Sequence, residues 1–465
     1  MAARARARSL FALGYAFGFA FFLLGIHWIA LLSDVAMTMP WIKYPACLLA
    51  AAYLALFSGV TVLLAGLLAR RAPLTLTFPV SLVVVEKMRA AGELGLPWFQ
   101  AGYTQHAYVP VIQLASLGGV TLVTLWIAVL NVLLWRACRG AARRRAGLGF
   151  LLMLALPWVW GHRVLEATPT SHGAVVALIQ GDIPGEIKWS GHHQAEILQA
   201  FLGLSDGAAT VTPKPTLLIW PETATGSYLR KQLDQSLAVT AFAGRTGIPV
   251  FSGYADYAAA PDGSVRNFNA AGLFTPDGSS SEVYAKRHLV PFGERIPFQR
   301  WIPALGQLDF GQAEWTPGPG PVLFPSAAGP FGCLVCFESI FADLAREDVR
   351  RGAHWLVNIT NDEWFGNSAA LYQHAAMAVF RAVENHVPVA RCANTGLTMM
   401  IDARGRIIAK LPTFTPAVLR CEVPASGPST LFTRAGDWPG WLCVVGLVAL
   451  MFGAGRALTV RARPD

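Results

Sequence analysis

The chain has 465 residues, of which 54% are hydrophobic and only 14% are charged. Soluble domains carry about 25% charged residues, so this composition indicates a membrane protein and argues against an ordinary soluble enzyme. The net charge of +9 lies in short loops beside apolar runs, which is typical of cytoplasmic membrane loops and gives no support to nucleic-acid binding. The basic clusters comprise Arg4, Arg6, Arg8, Arg70, Arg71, Arg136, Arg139, Arg143, Arg144, Arg145, Arg456, Arg461 and Arg463.

Six apolar runs approach the length of about 20 residues that a helix needs to cross a bilayer. They cover residues 10–33, 45–68, 74–92, 108–135, 147–165 and 437–457. If all six cross, every basic cluster falls on one side, which predicts cytoplasmic termini. We expect a membrane domain over 1–166 with about five helices, a soluble domain over 167–436 on the opposite side, and a final helix with a basic tail over 437–465. The first run exceeds the apolar core of a cleaved signal peptide, so we expect it to be retained.

The third run contains two charged residues, Glu86 and Arg89, which share one face of the predicted helix. Charged side chains at membrane depth are costly and often functional. The alternative is a pair near the outer interface, with the Arg89 side chain extending to water. The sequence does not separate these two interpretations.

The middle of the chain alternates short apolar runs, typical of buried strands, with stretches of helical periodicity. Several strands follow one another without an intervening helix, which predicts a mixed sheet. The predicted strands lie in 174–182, 216–222, 249–255, 268–274, 332–337, 354–362 and 387–396, and the predicted helices cover 193–205, 229–245, 340–352 and 368–386.

The seven cysteines are scattered and show no spacing that predicts a disulfide framework or a zinc site. They are Cys47, Cys138, Cys333, Cys336, Cys392, Cys421 and Cys443. No metal-binding histidine motif and no glycine-rich phosphate loop is present in the sequence. We therefore expect neither a metal nor an organic cofactor.

Three stretches place polar residues at the ends of predicted strands, where active sites are commonly built. They contain Glu222, Lys286 with Glu294, and Cys336 with Glu338. A cysteine nucleophile needs its proton removed, which a carboxylate can do, and a nearby ammonium can stabilise the oxyanion that follows. From the pattern alone, the structural interpretation is favoured for each of the three groups: a helix-terminal acid, a surface lysine and a small buried hydrophobe.

Cys333 and Cys336 raise a separate question, because their spacing allows a redox or metal pair, two buried thiols, or one nucleophile beside an inert neighbour. If the strand runs to Cys336, residues three apart point to opposite faces of the sheet. The two thiols then cannot line one pocket, which argues against a redox pair.

Several long motifs resemble those of the nitrilase superfamily: "LLIWPETA", "YAKRHLVPFGE", "LVCFESIF" and "NITNDEWFGNS". Together with the flanking apolar runs, "QGDIPGEIKW", "LPWFQAGYTQ" and "TRAGDWPGW" resemble the apolipoprotein N-acyltransferase family within that superfamily. The resemblance covers nearly the whole chain. The family usually has eight membrane spans, and this chain resembles it from the third span onward.

The resemblance implies an α+β fold, a nitrilase-like αββα sandwich on an α-helical polytopic membrane bundle. It implies that Cys336 is the nucleophile, Glu222 the general base and Lys286 the oxyanion stabiliser. Supporting roles fall to Glu294 and Glu338, and the implied substrate-binding residues are Trp189, Phe337, Asn361 and Trp364. The family usually has a tyrosine after the nucleophile, so Phe337 keeps the ring but lacks the hydroxyl.

By the same resemblance, the activity is acyl transfer from a phospholipid, expected to be phosphatidylethanolamine, to a diacylglyceryl apolipoprotein in the bacterial inner membrane. The soluble domain would then face the periplasm. Two alternatives stand beside it: a membrane-tethered nitrilase-type amidase, and a non-catalytic paralogue that serves as a membrane scaffold.

Overall fold

The computed structural model describes residues 2–35, 37–139, 142–166, 173–261, 263–309, 311 and 313–452. They form two compact units. A helical unit comprises the described residues within 1–30, 41–167 and 435–465, and a sheet-containing unit, called the sheet unit below, comprises those within 31–40 and 168–434. The predicted basic tail, with Arg456, Arg461 and Arg463, lies outside the described residues.

The helical unit contains a helix at each of the six predicted apolar runs. Its helices are α1 (Ala2–Ile26), α2 (Lys43–Leu68), α3 (Leu74–Arg89), α4 (Val109–Ile112), α5 (Ala115–Arg139), α6 (Arg143–Glu166) and a C-terminal helix (Trp438–Phe452). Within the described residues, four segments have the length and composition to cross a membrane, and they correspond to α1, α2, α5 and α6. The predicted run 108–135 is divided between α4 and α5, and α5 is kinked where Gly119 adopts a φ of 68°.

Glu86 and Arg89 are both buried within the helical unit. The Glu86 carboxylate accepts hydrogen bonds from the backbone N–H of Ala101 (2.9 Å) and from the hydroxyl of Thr124 (3.3 Å). The Arg89 guanidinium lies 5.2 Å from the centre of the Phe22 ring and is only 3% exposed. The alternative in which Arg89 extends to water is therefore wrong, because the side chain packs inward against an aromatic ring.

The sheet unit contains two six-stranded mixed sheets. Their orders are β12-β1-β2-β3-β4-β5 and β11-β10-β9-β8-β7-β6. The strands are β1 (Val175–Gln180), β2 (Leu217–Ile219), β3 (Val250–Ala259), β4 (Val265–Phe274), β5 (Ser280–Ala285), β6 (Leu323–Phe324), β7 (Phe331–Val335), β8 (Trp355–Thr360), β9 (Val389–Ala393), β10 (Met399–Ile401), β11 (Ile407–Lys410) and β12 (Ala417–Glu422). The remaining helices are α7 (Gly185–Lys188), α8 (Gln194–Ala209), α9 (Leu233–Thr246), α10 (Ala342–Arg350), α11 (Ala369–Asn385) and α12 (Leu431–Ala435).

The two sheets pack face to face, and helices cover their outer faces. Side chains such as Val176 of β1 and Val357 of β8 share one apolar core between the sheets. Because side chains alternate along a strand, the neighbouring Ala177 of β1 faces the other way, into a second core with Phe201 of α8 and Phe242 of α9. Helices α10 and α11 pack against β7 and β9 of the second sheet. The result is the predicted αββα sandwich with mixed sheets.

Candidate active site

Glu222 follows β2 and is held in one orientation by hydrogen bonds to both of its carboxylate oxygens. Its Oε1 accepts from the side-chain amide of Asn269 (2.7 Å), and its Oε2 accepts from the backbone N–H of Asn361 (2.8 Å). Gly253 on the neighbouring strand β3 makes room for this loop, since a Cβ there would lie 2.8 Å from the Cα of Glu222. The carboxylate is therefore buried but fully oriented.

Lys286 follows β5 directly and points its ammonium between two carboxylates. Its Nζ lies 2.8 Å from Glu294 Oε1 and 3.5 Å from Glu222 Oε1, and the side chain is 1% exposed. Burial alone lowers the pKa of a lysine, but the charges of Glu294 and Glu222 outweigh it and raise the pKa of Lys286 above its ordinary value. The group is thus a permanent buried cation.

Cys336 begins a short 3-10 helix (Cys336–Ile340) at the end of β7 and has a φ of 52°. The strand ends at Val335, so the expectation that it runs to Cys336 is wrong; the left-handed backbone at Cys336 turns the chain there instead. Cys333 is fully buried in the core between the sheets, whereas Cys336 only packs against the edge of that core. The two thiols occupy different environments.

The thiol of Cys336 is surrounded by groups that determine its protonation. Burial and the charge of Glu222 raise the pKa of the Cys336 thiol, while the charge of Lys286 opposes them. The three predicted groups are therefore close enough to act on one another electrostatically. At neutral pH the raised pKa keeps Cys336 a thiol, which requires a base to become a nucleophile.

Glu338 connects the two strand ends that carry Lys286 and Cys336. Its Oε1 accepts from the backbone N–H groups of Arg287 (2.7 Å) and His288 (3.1 Å). Its Oε2 accepts from the backbone N–H of Val335 and the hydroxyl of Tyr284, both at 2.8 Å. One buried carboxylate thereby fixes the backbone on both sides of the site.

Sequence reasoning missed a second buried cluster, which lies behind Cys336. His374 Nε2 lies 3.1 Å from the carbonyl oxygen of Cys336, and its Nδ1 lies 2.9 Å from Asp362 Oδ1. The Arg391 guanidinium donates to Asp362 Oδ2 at 2.5 Å. Burial disfavours the charged form of Asp362, but Arg391 and His374 outweigh it and lower the pKa of that carboxyl below its usual range. These residues lie on α11, β9 and the loop after β8, so no local pattern joins them.

The predicted substrate-binding residues lie on the loops around these groups. Asn361 touches Glu222 directly, as described above. Phe337 is buried, with its ring 5.3 Å from that of Phe341. Trp189 and Trp364 are half-buried on the loops that follow α7 and β8. Across the described ranges, no group of three or more histidine, cysteine or acidic side chains is arranged to hold a metal ion.

Comparison with known proteins identifies the family. The carbon-nitrogen hydrolase family model matches residues 175–427, and the model of the apolipoprotein N-acyltransferase N-terminal domain matches residues 1–133. The apolipoprotein N-acyltransferase of Geobacter metallireducens is 36% identical over 94% of this chain and 86% of its own length. The chain belongs to the apolipoprotein N-acyltransferase family.

Other members of the apolipoprotein N-acyltransferase family are similar to the chain over the same extent. The Rhodopseudomonas palustris protein is 34% identical over 94% of this chain and 84% of its own length. Among solved structures, an amidase from Nesterenkonia sp. is similar at 18% identity and a TM-score of 0.44, covering 59% of this chain and 98% of its own. Four helices in the described part of the chain are able to cross a membrane, so this member of the apolipoprotein N-acyltransferase family is a multi-pass bacterial membrane protein.

Proposed function

We propose that this protein transfers an acyl chain from a phospholipid to the N-terminal amine of an apolipoprotein, through a thioester on Cys336. The observation that carries the proposal is a half-buried cysteine, Cys336, whose thiol is acted on by the charges of the oriented Glu222 carboxylate and of the Lys286 ammonium, which lie 3.5 Å apart. The relatives' name, apolipoprotein N-acyltransferase, supplies the acceptor and the transferred group, and the phospholipid donor belongs to our proposal. We name Glu222, Lys286 and Cys336 the catalytic triad.

In the first half-reaction, Glu222 takes the proton from the Cys336 thiol, and the sulfur attacks the sn-1 ester carbonyl of the phospholipid. The Lys286 ammonium stabilises the negative charge that develops on the carbonyl oxygen. When the tetrahedral intermediate collapses, the ester C–O bond breaks and the leaving oxygen takes the proton from Glu222. The products are an acyl-Cys336 thioester and a lysophospholipid.

In the second half-reaction, the neutral α-amine of a diacylglyceryl-cysteine attacks the thioester carbonyl. Lys286 stabilises the oxyanion again, and Glu222 accepts a proton from the attacking nitrogen. Collapse breaks the C–S bond, and the sulfur recovers its proton from Glu222. The product is an N-acylated lipoprotein with an amide bond, and no metal or organic cofactor takes part.

The surrounding residues take supporting roles in this scheme. The bonds from Lys286 to Glu294 and from Glu338 to the two strand ends support roles in holding the ammonium and the cysteine loop in place. Trp189, Phe337, Asn361 and Trp364 would line the acyl or lipoprotein pocket. The indole N–H of Trp189 is buried and finds no acceptor among the described residues, which supports a contact with substrate.

The membrane arrangement follows from the substrates, since both are lipids. We place residues 1–166 and 437–465 in the inner membrane with both termini in the cytoplasm, and residues 167–436 on the periplasmic side. The basic loops around Arg71 and Arg144 support this orientation under the positive-inside rule. We expect phosphatidylethanolamine to be the acyl donor.

The test supplies purified full-length protein with phosphatidylethanolamine and a synthetic diacylglyceryl-cysteinyl peptide that has a free α-amine. Mass spectrometry should detect one added acyl chain on the peptide, and none on a matched peptide whose amine is acetylated. The Cys336→Ala variant should give no product. Release of free fatty acid without an acylated peptide would contradict the proposal and favour the hydrolase alternative; full activity in Cys336→Ala would favour a scaffold.

A further inference from the structure

Lys188 is a second fully buried lysine beside the candidate active site, and the proposed reaction gives it no role. It ends α7, within the stretch "QGDIPGEIKW", and none of its surface is exposed. Burying an ammonium is expensive unless it is paired and hydrogen-bonded, so a lysine in this position needs a reason beyond packing.

The Lys188 ammonium joins the two loops that hold the Glu222 carboxylate. Its Nζ donates to the backbone carbonyl of Glu222 (3.2 Å) and to the side-chain carbonyl of Asn361 (3.1 Å). The backbone N–H of Asn361 in turn donates to Glu222 Oε2 (2.8 Å). The three residues form a closed ring of hydrogen bonds, in which Lys188 connects the backbone of Glu222 to the group that orients its side chain.

Two carboxylates, Glu222 and Glu363, act on the Lys188 charge. Glu363 is held nearby, because it accepts hydrogen bonds from the backbone N–H of Gly185 at the start of α7 and from the side chain of Asn361 (3.5 Å). The Lys286 ammonium lies 3.5 Å from Glu222 Oε1, and the charge of Glu222 also acts on the Cys336 thiol. Two buried ammonium groups, those of Lys188 and Lys286, therefore interact with Glu222.

The backbone and side chain of Lys188 are tightly packed against the loop that follows Glu222. Gly226, in the loop after Glu222, has a φ of 62°, and a Cβ there would collide with the carbonyl oxygen of Lys188 and lie 2.9 Å from its Cγ. The Nζ also lies 5.6 Å from the centre of the adjacent Trp189 ring. The same side chain therefore contacts the loop of the proposed base and a proposed substrate-binding tryptophan.

We propose that Lys188 is a positioning residue for acyl transfer. Its ammonium holds the loops of Glu222 and Asn361 together and places a second positive charge near the base. This inference rests on the proposed function, because it assumes that Glu222 takes the proton of Cys336. Lys188 acts through Glu222 and does not touch the reacting atoms. Without it, the backbone carbonyl of Glu222 loses its connection to the Asn361 side chain, and Glu222 loses one of the two cations that act on it.

The charge of Lys188 makes this role visible in a pH profile. Burial lowers the pKa of Lys188 to about 8, against the charges of Glu222 and Glu363, which raise it. Below pH 8 the ammonium is present, and as the pH rises through 8 it is lost. The pKa of Lys286 is raised, so that group stays charged over the same range. The rate of Cys336 acylation should therefore fall as the pH rises above about 8.

The experiment measures the rate constant for acylation of Cys336 from pH 6.5 to 9.5, by intact mass of full-length protein mixed with phosphatidylethanolamine. It compares wild type, Lys188→Met, Lys188→Arg and the control Lys410→Met, an exposed lysine on β11. At pH 7 we expect Lys188→Met to be slower by roughly 10- to 100-fold, the range that a misplaced catalytic group produces. We expect Lys410→Met to match wild type.

The pH profile distinguishes positioning from a merely structural contribution. Lys188→Arg keeps a charge at every pH tested, so its rate should exceed that of Lys188→Met and show no decline through pH 8. A Lys188→Met rate equal to wild type, or the same decline above pH 8 in Lys188→Arg, would overturn the inference alone. If Lys188→Met does not fold, the comparison of Lys188→Arg with wild type decides. A wild type that is never acylated would contradict the proposed function and the inference together.

Discussion

Glu294 and Lys286 form a buried ion pair, with 2.8 Å between the carboxylate Oε1 and the ammonium Nζ. Glu294 Oε2 also accepts from the backbone N–H of Val290 (2.8 Å), so the carboxylate ties the ammonium to the loop that follows it. Asn269 donates to both Glu294 (3.2 Å) and Glu222 (2.7 Å), which connects the pair to the proposed base. The position of the proposed oxyanion stabiliser therefore depends on Glu294.

Replacing Glu294 with glutamine should slow acylation of Cys336 by roughly 10- to 100-fold, because Lys286 then turns toward its other carboxylate partner, Glu222. The measurement is the acylation rate by intact mass. Glu282→Gln, at an exposed site on β5, the strand that precedes Lys286, is the matched control and should match wild type. An unchanged acylation rate in Glu294→Gln would contradict a role for Glu294 in positioning Lys286.

Replacing Glu338 with glutamine should destabilise the sheet unit. The carboxylate accepts four hydrogen bonds, and an amide nitrogen in place of either oxygen cannot accept the two made there. Leaving buried backbone donors unpaired costs about 1–3 kcal/mol each, so we expect a clear loss of thermal stability. Tyr284→Phe removes only one of the four bonds and should have a smaller effect. Equal melting temperatures for Glu338→Gln and wild type would contradict this role.

Cys333 and Cys336 should differ in chemical reactivity. Burial raises the pKa of both thiols, but Cys333 is fully buried between the sheets, whereas Cys336 is half-buried and is acted on by the charges of Glu222 and Lys286. We expect Cys333→Ala to keep at least half of the wild-type acylation rate, and Cys336→Ala to lose it entirely. Peptide mapping after treatment of the folded protein with a thiol-reactive probe shows directly which cysteine is modified. Modification of Cys333 in the folded protein would contradict the separate environments.

The stability of the sheet unit should depend on pH through the carboxyl group of Asp348. Burial raises the pKa of Asp348 to about 8, while the charge of Arg287 opposes it. Between about pH 4 and 8 the folded state therefore binds a proton that the unfolded state has lost, and stability falls as pH rises through this range. Asp348→Asn removes this loss, so its melting temperature relative to wild type should rise by a few degrees from pH 5 to pH 8. A constant difference between the two proteins would contradict the assignment.

The strands that could be predicted from the sequence are those with buried apolar runs. β1, β7, β8 and β9 are apolar and pack inside the sandwich, so composition alone indicates them. β11 at one sheet edge is mostly exposed, and β12 at another edge is only partly buried, so neither has such a run. Local patterns do not detect strands whose pairing comes from tertiary contacts.

The candidate site shows the same limit. Glu222 and Asn361 are 139 residues apart in sequence but share a hydrogen bond, and no spacing rule predicts that convergence. The proposed triad residues were predicted from long motifs that resemble a known family. Sequence reasoning missed Lys188, His374 and Arg391, because polar and charged side chains usually lie at the protein surface. Only the fold reveals that these three are fully buried or nearly so.

The most direct test of the central claim is the intact mass of the wild-type protein after incubation with phosphatidylethanolamine, beside the Cys336→Ala variant. The account predicts that wild type gains the mass of one acyl chain, that hydroxylamine removes it, and that the variant gains nothing. A folded wild-type protein that binds the lipid but gains no mass, or a variant that gains the same mass, would contradict a thioester on Cys336.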